Sequence, residues 1–375
     1  MAPEENKRIP GFDALRFFMV LLVIVMHASM TFMEYVPRWW YVQDDQKYLF
    51  FTFLVILLDR FPMTLLFFLA GYFSPPSFAR RGFRSFLTDK VKRIGFPWLA
   101  GVFLVAPFFA YLSYENMVHR AVSIGEFTGK LFFGEFYQQA HYWFLGVLLF
   151  LFLLYSLYGF MAGKTAASKN RIARTPVIAA AWIVSIAAYY MSSTIKHADS
   201  WLNIGYVLYF QPARAAGYVM VFALGIYAYK KSWYTQNGWT PKWVFWGVID
   251  AVVMGFSVVW VMIGGGFGET ANRAVNSFLY NTTAVVSTLF LTGLFYRFQK
   301  KLGKLTEWFS PYSYGIYWLH SIALTVILRA LKPLAIAGAV KWFVSITATL
   351  VICQTACKYI LPRRRPGVPG ARRVV

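Results

Sequence analysis

The chain has 375 residues, of which 58% are hydrophobic, 20% aromatic and only 14% charged, and its mean hydropathy is +0.50. Such values lie far above those of soluble proteins and exclude an ordinary soluble domain. The formal net charge of +22 invites a nucleic-acid partner, but the placement of the charge argues against one. With residue 1 set in the cytoplasm, 25 of the 37 Lys and Arg fall in inner segments and 8 in outer ones, the asymmetry of the positive-inside rule. The basic excess therefore reports orientation and contact with the lipids of an anionic leaflet, and no nucleic-acid partner is expected.

Apolar runs at 12–34, 49–73, 96–113, 141–160, 176–192, 203–229, 243–263, 275–296, 311–331 and 338–360 predict an all-α polytopic membrane protein of about ten transmembrane helices. Most reach the ~17–25 residues that a tilted helix needs to span a bilayer, and an even number leaves both termini cytoplasmic. Residues 1–11 form a cytoplasmic N-terminus, 12–361 one transmembrane domain and 362–375 a basic, Pro/Gly-rich tail expected to be disordered on the membrane surface. The first run is too long for a signal-peptide core and carries no A-x-A site, so it is expected to be retained. The run at 203–229 is expected to kink at Pro212. The inner loop 74–95 opens at Ser74-Pro75-Pro76, and the outer loop 114–140 is long enough for a short interfacial helix. Internal repeats are not evident, which weighs against an inverted-repeat transporter.

The first run carries charge where a membrane helix ordinarily has none: Asp13, Arg16 and His27. At 100° per residue, Arg16 and His27 share one face within about 20°, and Asp13 lies about 40° away. A rise of about 1.5 Å per residue puts His27 roughly 16 Å deeper than Arg16, near the middle of a ~30 Å hydrocarbon layer. Ionisable groups at that depth usually face a protein interior or a wet cavity. A neutral imidazole there can take the proton of an attacking hydroxyl. The blander reading has Asp13 and Arg16 at the interface and His27 bonded to a neighbouring helix.

Arg80, Arg81, Arg84, Lys90, Lys92 and Arg93 crowd into fourteen residues before Pro97. Such density suits the phosphates of an acyl carrier, although inner loops are basic as a rule. His141-Tyr142-Trp143 opens the fourth run on the outer side, where an aromatic belt alone explains Tyr142 and Trp143. His320, half a helix in from the cytoplasmic side, is a candidate partner for the His27 cavity or a packing histidine. Arg214 and the pair Asp59-Arg60 either line that cavity or neutralise one another. Trp39, Trp40, Tyr41 and Trp143 are candidates for stacking on sugars or for interfacial anchors. Cys353 and Cys357 read as small apolar residues. No metal site is expected from five dispersed histidines, and neither a Walker glycine pattern nor a GxSxG elbow is present.

Taken in order, D-x-x-R-x10-H at Asp13, Arg16 and His27, LLFFLAGYF around Gly71, KVKRIGFPWL leading to Pro97, HYWFL at 141–145 and SYGIYWLH ending at His320 resemble the acyltransferase-3 family of integral membrane O-acyltransferases, and most of all its glucan-succinylating branch. The resemblance implies a bacterial inner-membrane enzyme that takes an acyl group, succinyl or another short one, from cytoplasmic acyl-CoA (possibly succinyl-CoA, as a co-substrate and not a resident cofactor) to a hydroxyl of an extracytoplasmic glycan such as a periplasmic glucan. It implies that Arg16 and His27 are essential and that Arg80–Arg93 binds the donor. The chain departs from the pattern at Ala70, where many relatives have Ser, and at Ser321, where a second His is common. A proton-coupled transporter or flippase for a small or lipid-linked substrate is the alternative reading of the same buried charges.

Overall fold

The computed structural model describes residues 8–118, 120, 122–162, 175–235 and 237–360. The tail 362–375 and the first seven residues lie outside this set. Its helices are α1 (Pro10–Met30), α2 (Leu49–Leu58), α3 (Pro62–Lys90), α4 (Phe96–Ala100), α5 (Ala106–Val118), α6 (Ile124–Glu126), α7 (Trp143–Ala162), α8 (Thr175–Ile195), α9 (Pro212–Lys230), α10 (Trp243–Ile263), α11 (Gly268–Arg297), α12 (Gln299–Thr306), α13 (Ser313–Leu331) and α14 (Gly338–Ile360). Two short strands, β1 (Leu202–Ile204) and β2 (Leu208–Phe210), pair antiparallel just before α9. Among the described residues, seven helical stretches are long and apolar enough to cross a membrane, and Ala179–Ile195 is a shorter apolar one. The protein is an all-α polytopic membrane protein.

Local chemistry sets several boundaries. Pro10, Pro62 and Pro212 stand at the first turns of α1, α3 and α9, where the missing N–H has no intrahelical partner to lose. The apolar run expected as one helix over 203–229 is therefore two elements: a hairpin turning at Gly205 (φ 60°) and Tyr206 (φ 60°), then α9. Hydropathy scores both alike, and the proline marks a start where a kink was expected. The second run likewise divides, since α2 ends at Leu58 and α3 begins at Pro62.

The expected loop over 74–95 is helical for most of its length. α3 passes through Pro75 and Pro76 to Lys90, bending at Gly82, whose φ of 69° only glycine adopts freely. Ser74, Pro75 and Pro76 are buried, so packing offsets the prolines' missing N–H groups, and the Ser74 hydroxyl donates back to Ala70 O at 2.8 Å. Gly71 of the LLFFLAGYF run meets the backbone of Phe222, and Gly225 meets that of Phe68. Close approach of small residues is the usual way for membrane helices to pack, and here it joins α3 to α9. Of the expected loop 114–140, the first residues continue α5 to Val118, and the described remainder holds the single-turn α6 followed by a π-turn over Phe127–Leu131.

Candidate active site

The helix α1 is buried on nearly every side: Phe12, Leu15, Met19, Val20, Val23 and Ile24 all lie in the core. A helix apolar all round belongs inside a bundle, and its few polar side chains must then find partners there. Near its start, Asp13 accepts from Arg16 Nη1 at 3.1 Å and from Arg8 Nε at 2.5 Å. This neutralises Arg16 in part while leaving its side chain 37% exposed, free to meet an anion. The start of α1 faces the basic end of α3, with Arg16 close enough to Lys90 to interact electrostatically.

Of the six basic residues expected to bind a donor, Arg81 and Arg93 share one carboxylate, Asp89, at 2.5 and 2.8 Å. Arg80 Nε donates to Pro76 O at 3.3 Å. The Lys90 ammonium lies over the Phe152 ring, 4.5 Å from its centroid. Arg84 and Lys92 are exposed. One carboxylate thus answers six cations, and the surface stays strongly positive.

Three histidines gather at the other end of α1. His27, from the last turn of α1, has Nδ1 3.1 Å from Nε2 of His320 on α13. His320 Nδ1 donates to Tyr317 O at 2.6 Å, and the Ser321 hydroxyl lies 3.1 Å from His320 Nε2. The His141 ring is 4.7 Å from that of His320, centroid to centroid, the two planes 65° apart, and its Nε2 donates to Trp318 O at 3.3 Å. Among the described residues, no cluster of His, Cys, Asp and Glu has the geometry to hold a metal ion.

His141 reaches this cluster through a strained turn. It sits in the 3₁₀ turn Ala140–Tyr142 that leads into α7, after Ala140 at φ 45°. A left-handed alanine persists only where its surroundings hold it. Here the buried Gln139 does so, donating to Tyr137 Oη (3.0 Å) and to the carbonyls of Tyr206 (3.3 Å) and Val207 (3.2 Å) while accepting from Trp98 Nε1 (3.1 Å).

A cavity of about 10 Å³ adjoins His27, lined also by Thr31, Trp40, Tyr41, Val42, Ser321 and Thr325. That is about the room one water needs. Trp40, Tyr41 and Val42 belong to the segment between α1 and α2, which roofs the cavity. The roof is bonded down: Trp40 Nε1 donates to Thr31 Oγ1 (3.3 Å), Asn116 Nδ2 to Trp40 O (2.7 Å) and Tyr41 Oη to Gln138 Oε1 (3.2 Å). Farther along the same segment, Asp44 forms an ion pair with Lys341 of α14 at 2.8 Å, both side chains 3% exposed. This pair and the roof were missed in the sequence reading, although Lys341 stands out as a charge inside the last apolar run.

Trp143 and Arg214 stand apart from the cavity lining. Arg214 Nη2 pairs with Asp59 Oδ2 and Asp199 Oδ1, each at 2.7 Å, so its buried charge is met by two carboxylates away from the cavity. Trp143 packs on Tyr218 and Trp201, with centroids 5.5 Å apart in each case.

Comparison with known proteins shows the family. An acyltransferase domain profile matches residues 9–357, a stretch that includes every residue of the histidine cluster. Glucans biosynthesis protein C of Escherichia coli (strain SMS-3-5 / SECEC) is 30% identical over 115 residues, 30% of this chain and 29% of that protein. Its counterpart in Shigella dysenteriae serotype 1 is 26% identical over 155 residues, 40% of this chain and 38% of that protein. The chain thus aligns with about a third of the length of these curated relatives. No solved structure matches it. On the extent of the profile match, the chain belongs to the acyltransferase-3 family.

Proposed function

We propose that this protein is a transmembrane O-acyltransferase that moves an acyl group from cytoplasmic acyl-CoA to a hydroxyl of an extracytoplasmic glycan, with His27 as general base. The observation that carries the reading is the helix α1 itself. One end holds Arg16 within electrostatic reach of Lys90 at the basic end of α3, and the other holds His27 beside a small cavity. Eleven residues of helix separate them, about 16 Å, so a donor anchored by its phosphates at one end would deliver its thioester to the other along a single helix. In this reading the chain crosses the bacterial inner membrane ten times, with both termini in the cytoplasm.

The reaction follows from the groups present. The acceptor O–H gives its proton to His27 as the oxygen attacks the thioester carbonyl carbon. The tetrahedral intermediate collapses with cleavage of the C–S bond, and the thiolate leaves with the proton that His27 returns. Arg16 steadies the donor phosphate or the carbonyl, and Asp13 orients Arg16. Arg80, Arg81, Arg84, Lys90, Lys92 and Arg93 supply the positive surface that holds the donor. A glucan acceptor is suggested by the names of the relatives, and a succinyl group by the branch the chain resembles.

The test is thiol release from a panel of acyl-CoAs by the purified protein in nanodiscs, with and without glucan, beside His27→Ala. Release that needs both His27 and the acceptor is expected. No release from any donor would overturn the reading and favour transport.

A further inference from the structure

The bonds around His320 have a direction, and the direction determines which nitrogen of His27 is basic. A carbonyl oxygen only accepts, so the 2.6 Å contact with Tyr317 O requires a proton on His320 Nδ1. His320 is fully buried and no carboxylate bonds to either ring among the described residues, so an uncompensated charge is costly there and each imidazole is taken as neutral, with a single proton. His320 Nε2 then presents a lone pair, which receives the Ser321 hydroxyl at 3.1 Å and His27 Nδ1 at 3.1 Å. His27 must therefore carry its proton on Nδ1.

Ring geometry agrees. The two imidazole planes are near-parallel, 12° apart, with centroids 5.2 Å apart and the facing nitrogens only 3.1 Å apart. The rings meet edge to edge, which aims the lone pair of one at the N–H of the other. His27 Nε2 makes no hydrogen bond among the described residues, and the His27 ring lines the cavity under Trp40.

We propose that His320 is a positioning residue: anchored by the Tyr317 carbonyl, it holds His27 in the tautomer whose Nε2 lone pair is free to take a proton. The inference rests on the O-acyltransferase reading for its purpose, but the tautomer is a property of the resting protein. The opposite tautomer would turn an N–H toward the acceptor hydroxyl and leave no base, which is why the partner of a catalytic or ligating histidine matters as much as the histidine. When His27 becomes an imidazolium, its Nδ1–H bond to His320 becomes charge-assisted and strengthens.

The experiment compares His320→Gln with His320→Ala and reads the tautomer directly. Gln reaches about as far as Nε2 and offers a carboxamide oxygen to His27 Nδ1–H, whereas Ala offers nothing. Loss of a group that orients a histidine commonly costs about 10–100-fold, so kcat should fall by that factor in His320→Ala with the donor KM unchanged. His320→Gln should recover most of the rate. Nitrogen-15 spectra of the histidine-labelled protein in nanodiscs, with the His27 signals identified by their loss in His27→Ala, should show protonated Nδ1 and bare Nε2. Wild-type turnover in His320→Ala, equal losses in both variants, or a proton on His27 Nε2 in the wild-type spectrum would each overturn the proposal. The spectrum needs no turnover, so failure of the acyltransferase reading remains distinguishable.

Discussion

The Asp44–Lys341 pair offers a quantitative test of how the roof over His27 is held. Both side chains are 3% exposed and their charged atoms lie 2.8 Å apart. Lys341 Nζ also donates to Lys332 O at 2.8 Å, and Asp44 accepts from Gln46 N at 3.0 Å while its own N–H donates to Thr31 O at 3.2 Å. The pair therefore ties the α1–α2 segment to the start of α14. Removing one partner strands a buried charge, at a cost of about 3–5 kcal/mol, whereas removing both costs much less. Asp44→Asn and Lys341→Met should each destabilise by about that amount. The double variant should cost less than either single one, and so be better than their sum by at least about 3 kcal/mol. Equilibrium unfolding in mixed micelles of increasing SDS fraction, followed by tryptophan fluorescence, measures all four corners of the cycle. Additivity within about 0.5 kcal/mol would refute a buried pair at this point.

Two further outcomes are expected at the ends of α1. Arg16→Lys should lower kcat/KM for the donor by at least about tenfold, because a point charge cannot reproduce the guanidinium fork that meets Asp13 on one side and an anion on the other; wild-type kinetics would show the fork to be irrelevant. Trp40→Ala opens the roof of a cavity with room for about one water, so acceptor-independent thiol release from acyl-CoA should rise as water reaches the thioester. An unchanged ratio of hydrolysis to transfer would mean that Trp40 does not exclude water.

The polar stripe of α1 is legible in the sequence because it depends only on helical period: the spacing of Asp13, Arg16 and His27 puts them on one face whatever surrounds them. The sequence leaves His320 either a partner of the His27 cavity or a packing histidine, and the 3.1 Å contact with His27 makes it a partner. His141 is harder, because its approach depends on a left-handed Ala140 and on Gln139 bonding to a hairpin some seventy residues away, neither of which has a local signal. The roof is hidden likewise, since Asp44 and Lys341 are 297 positions apart. Hydropathy misread 203–229 because a strand of Tyr, Val, Leu and Phe scores like a helix, and Pro75-Pro76 misled because buried packing outweighed two missing hydrogen bonds. Arg214 and the pair Asp59-Arg60 had two readings in the sequence, and the structure pairs Arg214 with Asp59 and with Asp199, which the sequence reading did not name.

The central claim is tested most directly by thiol release from acyl-CoA in nanodiscs with glucan present, wild type beside His27→Ala. General-base assistance is typically worth about 10²–10⁴-fold, so the variant should lose at least a hundredfold in kcat while binding the donor and unfolding as the wild type does. Equal turnover in a folded His27→Ala protein would contradict the account.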